Sequence, residues 1–174
     1  VYAEPPENLC NQVGFDEVMA RWDLSTPSWD QPGSDYDASS TMWYVRCSFV
    51  GVTEDDRFAT VFGGFRPRGA VTLRVHHEVT DALKDYEQDA RNYFERPEGS
   101  EPVEVTGWWD SGIAVTLNRH MAPIDAPITE PGAASLNSRL LVRHGNLVIV
   151  AYAQAEAPLE EADAVTDLLE DFVA

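Results

Sequence analysis

Apolar residues recur along this chain with two different periods. Alternation with a period of two is typical of strands, and in TMWYVRCSFVG it places Trp43, Val45, Cys47 and Phe49 on one face. A spacing of three to four residues is typical of helices and occurs in FDEVMARW, in TDALKDYEQDARNYFE and in PLEEADAVTDLLEDFVA. The pattern predicts helix, three strands, helix, four strands, helix. The strands are predicted at 42–51, 58–65, 70–79, 103–109, 112–119, 138–144 and 146–154.

The segment LLVRHGNLVIV indicates how these strands connect. It turns around His144, Gly145 and Asn146 with no room for a crossover helix, so the connection is antiparallel. Residues 138–154 are apolar on both strand faces, which favours a sheet covered on both sides. We therefore predict an α+β fold, with an antiparallel sheet of about six or seven strands and helices on both faces. Residues 10–174 are predicted to form one domain, and residues 1–9, with their Glu-Pro-Pro run, the remnant of a stiff linker.

The charge of the chain narrows its possible partners. Thirty acidic residues against twelve basic ones give a net charge of −18. Such a surface repels the phosphate backbone, whose neutralisation supplies most nucleic-acid affinity, so we predict no nucleic-acid partner. It also repels anionic lipid headgroups, and no run approaches the roughly 18 to 20 apolar residues of a membrane span. Any membrane attachment is expected only through an anchor upstream of residue 1.

The two cysteines, Cys10 and Cys47, raise the question of compartment. They lie outside any CxxC motif, and neither has a histidine at zinc-ligand spacing. Acidic neighbours oppose a reactive thiolate at Cys10. We predict a disulfide between them, which would indicate an oxidising, extracytoplasmic setting. Two unpaired buried thiols are the alternative.

Motifs for catalysis and for metal binding are weak in this sequence. It contains no GxSxG, no P-loop and no GxGxxG after a strand, so we predict a non-catalytic protein without a cofactor. His76 and His77 are neighbours on a strand and point to opposite faces, so they cannot chelate together, and we predict no metal site. The acidic loop at 23–40 leaves calcium open, but the spacing of an EF-hand is absent and a solvated loop is the favoured interpretation.

Aromatic and basic residues outside the core pattern are the candidates for binding. Aromatic side chains in loops or at strand edges often contact sugars, apolar ligands or partner proteins, and paired arginines at a hairpin tip can hold an anionic group. Local packing of the rings and an ordinary basic turn are the competing interpretations. The candidate ligand-binding residues are Trp29, Tyr36, Trp108, Trp109, Arg66 and Arg68.

Several segments together resemble a family of actinobacterial secreted lipoproteins of unknown function. They are PENLCNQV, YVRCSFVG, EVTGWWDSGIAV and SRLLVRHGNLVIVAYA followed by a terminal helix. The layout is also similar to the PsbP-like α/β/α sandwich. The resemblance implies a cell-envelope location, a lipid anchor and no assigned catalytic residues. The acidic loop at 23–40 and the insertion at 118–135 depart from the family's pattern.

Together these observations predict a function of binding rather than catalysis. We expect a cell-envelope lipoprotein domain, at the cell surface or secreted, that binds a small ligand or an envelope protein through its long loops. The alternatives are the extracellular sensor domain of a membrane protein and an envelope hydrolase.

Overall fold

An antiparallel sheet dominates the computed structural model of this protein. The structure describes residues 1–3, 9–12, 20, 41–50, 68–94, 102–121, 133–158 and 162–173. Its strands are β1 (Met42–Val50), β2 (Arg68–His76), β3 (Val103–Glu104), β4 (Ser111–Met121), β5 (Ala133–His144) and β6 (Leu147–Pro158). Its helices are the single turn α1 (Leu9–Gln12), then α2 (Val79–Asp89), which continues as a π-helical turn (Ala90–Phe94), and α3 (Ala162–Val173).

The six strands lie in the order β1-β2-β6-β5-β4-β3. The last strand in the chain therefore lies between β2 and β5, with Thr72 opposite Val150 on one side and Leu141 opposite Val150 on the other. The β5–β6 connection is a tight turn in which Gly145 has φ of 57°, a left-handed conformation that glycine adopts without steric cost. The predicted antiparallel hairpin around His144, Gly145 and Asn146 is confirmed.

Helix α2 packs on one face of the sheet. Its buried Ala82, together with Ala90 and Phe94 of the π-helical turn, forms a core cluster with apolar residues of β4, β5 and β6. The C-terminal helix α3 contacts β5 and β6, and from residue 151 to residue 157 every second residue of β6 is a buried alanine. Small side chains let a helix approach a sheet closely, so this row of alanines allows α3 to pack close to β6. The alanines are Ala151, Ala153, Ala155 and Ala157.

The prediction of an α+β sandwich with helices on both faces is wrong. The described part of the chain is mostly antiparallel sheet with two short helices of 11 and 12 residues. Such helices are roughly 16 to 18 Å long and about 10 Å wide, whereas a sheet of six strands is roughly 24 Å across. One helix therefore does not cover a face of the sheet as a complete layer. The wrong prediction came from the apolar run at the β5–β6 turn, which suggested strands that are apolar on both faces throughout. Farther from the turn, one face of β5 and β6 is polar, with Asn137, Arg139, Tyr152 and Gln154.

Several predicted boundaries also change. Strand β3 is only two residues long, so Trp108 and Trp109 lie in a bend rather than on a strand. Strands β4 and β5 extend to Met121 and Ala133, into the segment that was predicted as a loop at 118–135. The predicted strand at 58–65, the first predicted helix and the acidic loop at 23–40 lie outside the described residues.

Candidate functional site

A concave site lies on the sheet face that carries α2. Antiparallel register builds it from two adjacent rows of side chains, because residues two apart on a strand share a face. Arg68, Gln154 and Asn137 form one row across β2, β6 and β5. Tyr152 and Arg139 lie opposite each other in the next row.

The π-helical turn closes this concavity into a pocket of about 360 Å³. That volume lies within the range of small-molecule sites, about 300 to 1,000 Å³. Phe94 and Val150 supply apolar wall, and Tyr152 contributes both a ring and a hydroxyl. The described lining residues, which we call the arginine pocket, are Arg68, Asp89, Phe94, Asn137, Arg139, Val150, Tyr152 and Gln154.

Side-chain hydrogen bonds hold the polar groups of the arginine pocket in place. Arg68 donates from Nε and Nη2 to Oε1 of Gln154, at 3.2 and 3.1 Å. Arg139 Nε donates to Asn137 Oδ1 at 2.9 Å. A third arginine, Arg46, donates to the Tyr152 hydroxyl at 2.7 Å, and its guanidinium lies 5.8 Å from the centre of that ring. These contacts fix the orientation of three cationic groups on one face of the sheet.

The only acidic side chain among the described lining residues, Asp89, is itself neutralised. Arg74 on β2 contacts Asp89 through Nη2 and donates from Nη1 to Asp85 Oδ1 at 3.1 Å. His76 Nε2 lies 2.9 Å from the other oxygen of Asp85. Arg74 therefore compensates Asp89, and the described lining of the pocket contains two further guanidinium groups, those of Arg68 and Arg139.

A second group of candidate residues lies at the other end of the sheet. Around the β5–β6 turn, the ring centre of Trp108 lies 5.4 Å from that of His144 and 5.9 Å from that of Trp109. The Tyr2 ring meets His144 at 6.1 Å. We call Tyr2, Trp108, Trp109, Asp110 and His144 the hairpin-end cluster. Five residues of β5 separate His144 from Arg139, which is roughly 17 Å of strand.

Asp110 ties the bend to the hairpin in this cluster. Its Oδ2 accepts a hydrogen bond from the Gly145 amide at 2.8 Å and lies 3.1 Å from Arg143 Nη1. Its Oδ1 lies 3.4 Å from His144 Nδ1, an ion-pair distance. The Gly145 amide, and to a lesser degree the Arg143 and His144 side chains, hold the pKa of Asp110 below its ordinary value, although the side chain is exposed.

Asn146 attaches the N-terminal segment to the same end of the sheet. Its buried side chain accepts from the Tyr2 amide at 2.7 Å and donates to the carbonyls of Tyr2 and His76 at 2.8 and 2.6 Å. The amide thus acts on the main chain of Tyr2 as a neighbouring strand would. This contact positions the Tyr2 ring against His144.

The candidate binding residues predicted from the sequence do not form one site in the structure. Arg68 lines the arginine pocket, while Trp108 and Trp109 lie in the hairpin-end cluster. Trp29, Tyr36 and Arg66 lie outside the described residues. Cys47 is fully buried and disulfide-bonded, and in a chain with two cysteines Cys10 is the one intramolecular partner that the sequence offers.

Sequence reasoning missed most of the arginine pocket. Asn137 and Arg139 lie two apart on β5 with Ser138 between them, whereas Tyr152 and Gln154 alternate with alanines on β6. This alternation was a usable signal for a polar face. The pairing of Gln154 with Arg68, 86 residues earlier, was not predictable from any local pattern.

Searches for metal clusters, membrane spans and similar proteins add no positive finding. Among the residues that the structure describes, no group of three or more His, Cys, Asp or Glu side chains could hold a metal ion. None of the described helices combines the length and the apolar character needed to cross a membrane. Comparison with protein-family models, curated proteins and solved structures finds no match to this chain. The resemblance to secreted lipoproteins therefore stays a prediction.

Proposed function

We propose that this chain is a non-catalytic binding module of the cell envelope that holds a small anionic molecule in the arginine pocket. The observation that carries the proposal is the pocket itself, in which Arg68 and Arg139 lie beside an apolar wall and Asp89, the acidic residue of the described lining, is paired with Arg74. The binding surface we propose is the sheet face, in place of the long loops that the sequence suggested.

The shape and chemistry of the pocket indicate the kind of ligand. Guanidinium groups match the geometry of carboxylate and phosphate oxygens. Phe94, Val150 and the Tyr152 ring would contact an apolar body, and the amides of Asn137 and Gln154 supply further polar contacts. Buried Arg46 Nε has no hydrogen-bond partner within the described part of the chain, so the neighbourhood of Tyr152 retains donor capacity. A small carboxylate or phosphate with an apolar portion fits this combination.

The disulfide at Cys47 supports the envelope location, because disulfides persist in oxidising compartments. Attachment through a lipid anchor rests on the resemblance alone. A lipobox cysteine upstream of residue 1 would support that anchor, and a membrane-spanning helix there would favour the sensor alternative.

Thermal unfolding with a panel of sodium salts tests the binding proposal. Benzoate, indole-3-acetate, citrate and inorganic phosphate are suitable probes, compared with sodium chloride at matched ionic strength. A probe at a hundred times its dissociation constant adds about 2.7 kcal/mol to the stability of the folded state. We expect stabilisation by at least one probe and its loss in Arg68→Gln and Arg139→Gln.

Arg91→Gln is the matched control, because Arg91 is exposed on the π-helical turn and does not line the pocket. It changes the net charge by the same amount as the pocket variants. Equal loss of binding in Arg91→Gln would indicate a general charge effect, and the absence of stabilisation by every anion would overturn the proposal.

A further inference from the structure

Trp108 is the largest of the exposed apolar side chains in the described part of the chain. It is 58% exposed, in a bend where the neighbouring Trp109 is half-buried. An indole left in water forgoes a large amount of apolar burial, because an aromatic side chain buries 150 to 250 Å² in a core. Trp108 does not line the arginine pocket, so binding there does not explain why this side chain is exposed.

The residues around Trp108 hold it in one place. Trp109 beneath it donates from Nε1 to the Val105 carbonyl at 2.9 Å. Glycines make room for the Trp109 ring, since a Cβ at Gly107 or Gly112 would lie 2.6 Å from it. Trp108 meets Trp109 at 63° and His144 at 72°, so two edge contacts support it from different sides. A side chain already fixed in this way loses little conformational entropy when a ligand binds.

The rim of the exposed indole is polar. Asp110 and His144 are both about two-fifths exposed beside it, with side-chain values of 42% and 41%. Their charges are partly compensated, since Arg143 lies 3.1 Å from Asp110 and is mostly buried. A ligand that reaches the ring therefore meets hydrogen-bonding groups and little net charge.

These features exclude several ligand classes. One exposed indole offers roughly 150 Å² or less, far below the ~800 Å² that each partner contributes to a stable protein interface. A lipid tail would desolvate Asp110 and His144 without giving them partners. An organic cation would be attracted by the ring but repelled by Arg143, which already neutralises the nearest carboxylate.

We propose that Trp108, with Asp110 and His144 at its rim, is a carbohydrate-binding platform separate from the arginine pocket. One face of a pyranose ring is a flat array of C–H bonds, whose partial positive charge suits the negative face of the indole. The hydroxyl groups at the edge of the sugar lie where Asp110 can accept hydrogen bonds and His144 can exchange them. Tyr2, whose ring centre lies 6.1 Å from that of His144, adds a second aromatic ring to this surface, so an oligosaccharide fits better than a single sugar.

Nuclear magnetic resonance with soluble oligosaccharides tests this proposal on the full chain. Cellohexaose, maltohexaose, xylohexaose and chitohexaose are titrated to millimolar concentration while the indole N–H resonances are followed. We expect one of these sugars to shift the Trp108 indole signal. Binding should weaken about tenfold or more in Trp108→Ala and by less in Trp108→Phe, which keeps an aromatic face.

Val103→Ala is the matched control, because Val103 is an apolar side chain on the nearby strand β3 and is 61% exposed. It should leave sugar binding unchanged, and so should Arg68→Gln, which separates this site from the arginine pocket. Trp108→Ala should keep the melting temperature of the unchanged protein because the side chain is exposed, so a loss of binding would not reflect unfolding.

Three results would overturn the proposal. The first is an unmoved Trp108 indole signal with all four sugars. The second is a shift of that signal by tetramethylammonium chloride in place of the sugars, which would make the platform a cation site. The third is a concentration-dependent dimer in light scattering that Trp108→Ala abolishes, which would make it a contact between two copies of the chain.

Discussion

The arginine pocket and the hairpin-end cluster lie on the same sheet but are built in different ways. The pocket is concave, and its long polar side chains come from strands that are distant in sequence. The hairpin-end cluster lies at a bend and a turn, and main-chain groups hold it: the Val105 carbonyl accepts from Trp109, and the Gly145 amide donates to Asp110. The arginines of the pocket are oriented by side-chain partners, whereas the rings at the hairpin end are positioned by main-chain groups and glycines. Substitutions that disturb the main-chain contacts of the hairpin end should therefore affect stability most, and substitutions of the pocket arginines should affect anion binding most.

The largest expected effect on stability is at Asn146. Replacement by alanine removes three hydrogen bonds from a buried side chain and leaves the His76 carbonyl without this partner. We expect the free energy of unfolding to fall by about 3 kcal/mol, measured by urea unfolding. Asn92→Ala, at an exposed position of the π-helical turn, is the control and should change it little. Equal losses in the two variants would show that the Asn146 amide does not organise this end of the sheet.

A smaller effect is expected at Gly112. An alanine Cβ there would lie 2.6 Å from Trp109 Nε1 and 2.8 Å from a Val105 methyl group, so the ring must move. We expect a loss of about 2 kcal/mol in urea unfolding, a typical cost of overpacking. The same substitution made in Trp109→Ala should cost less, because the clash with the ring is gone and only the contact with the Val105 methyl group remains. Additive costs would contradict the interpretation that Gly112 makes room for the ring.

Arg74→Met tests the pocket side of the comparison. The change leaves Asp85 and Asp89 without their shared cation, and all three side chains are largely buried. We expect a loss of about 1 to 2 kcal/mol in stability, between the values for surface and buried ion pairs. An anion that binds the pocket should also bind more weakly, because Asp89 is no longer compensated.

Calorimetric titration of that anion measures the binding effect, with Arg91→Met as the charge-matched control. Unchanged affinity in Arg74→Met would show that Asp89 does not influence the pocket.

The smallest effect is the acid titration of Asp110. Its folded pKa lies below the ordinary value of 3.8 because it accepts from the Gly145 amide. Its contribution to stability is therefore fully present above that ordinary value and is lost as the pH falls through the folded pKa. The Gly145 amide resonance should shift with a midpoint below 3.8 in acid titration by nuclear magnetic resonance, and Asp110→Asn should remove the transition. A midpoint at or above the ordinary value would contradict the contact.

The local pattern of apolar residues predicted the strands better than it predicted how helices and sheet pack together. The alternation around Cys47 predicted a strand at 42–51, and β1 spans Met42–Val50. The helix in TDALKDYEQDARNYFE was also predicted. Its apolar spacing favours Leu83 as an inward residue, but Leu83 is 41% exposed and Ala82 takes the buried position. A small residue gives no hydrophobic signal, so periodicity selected its larger neighbour.

The candidate site was less predictable than the strands, and for a physical reason. Trp108 and Trp109 were conspicuous because tryptophan is rare and adjacent pairs are rarer. The arginine pocket depends instead on which strands become neighbours, and the β2–β6 pairing joins segments 86 residues apart. A pairing between segments so far apart in sequence cannot be detected from the pattern in a short sequence window.

The central position of β6 has a consequence for the order in which this protein can fold during synthesis. Strands β1 and β2 leave the ribosome early. The edge of β2 that pairs with β6 stays unpaired until β6 has been translated, and Gln154 follows its partner Arg68 by 86 residues. At about 5 to 20 residues per second that delay lasts several seconds, with unsatisfied backbone amides and carbonyls exposed. A nascent chain that ends before Leu147 would carry the β1–β2 pair and a separate β3–β5 unit, without the strand that pairs with both β2 and β5. Truncation there should produce aggregation rather than a smaller stable domain.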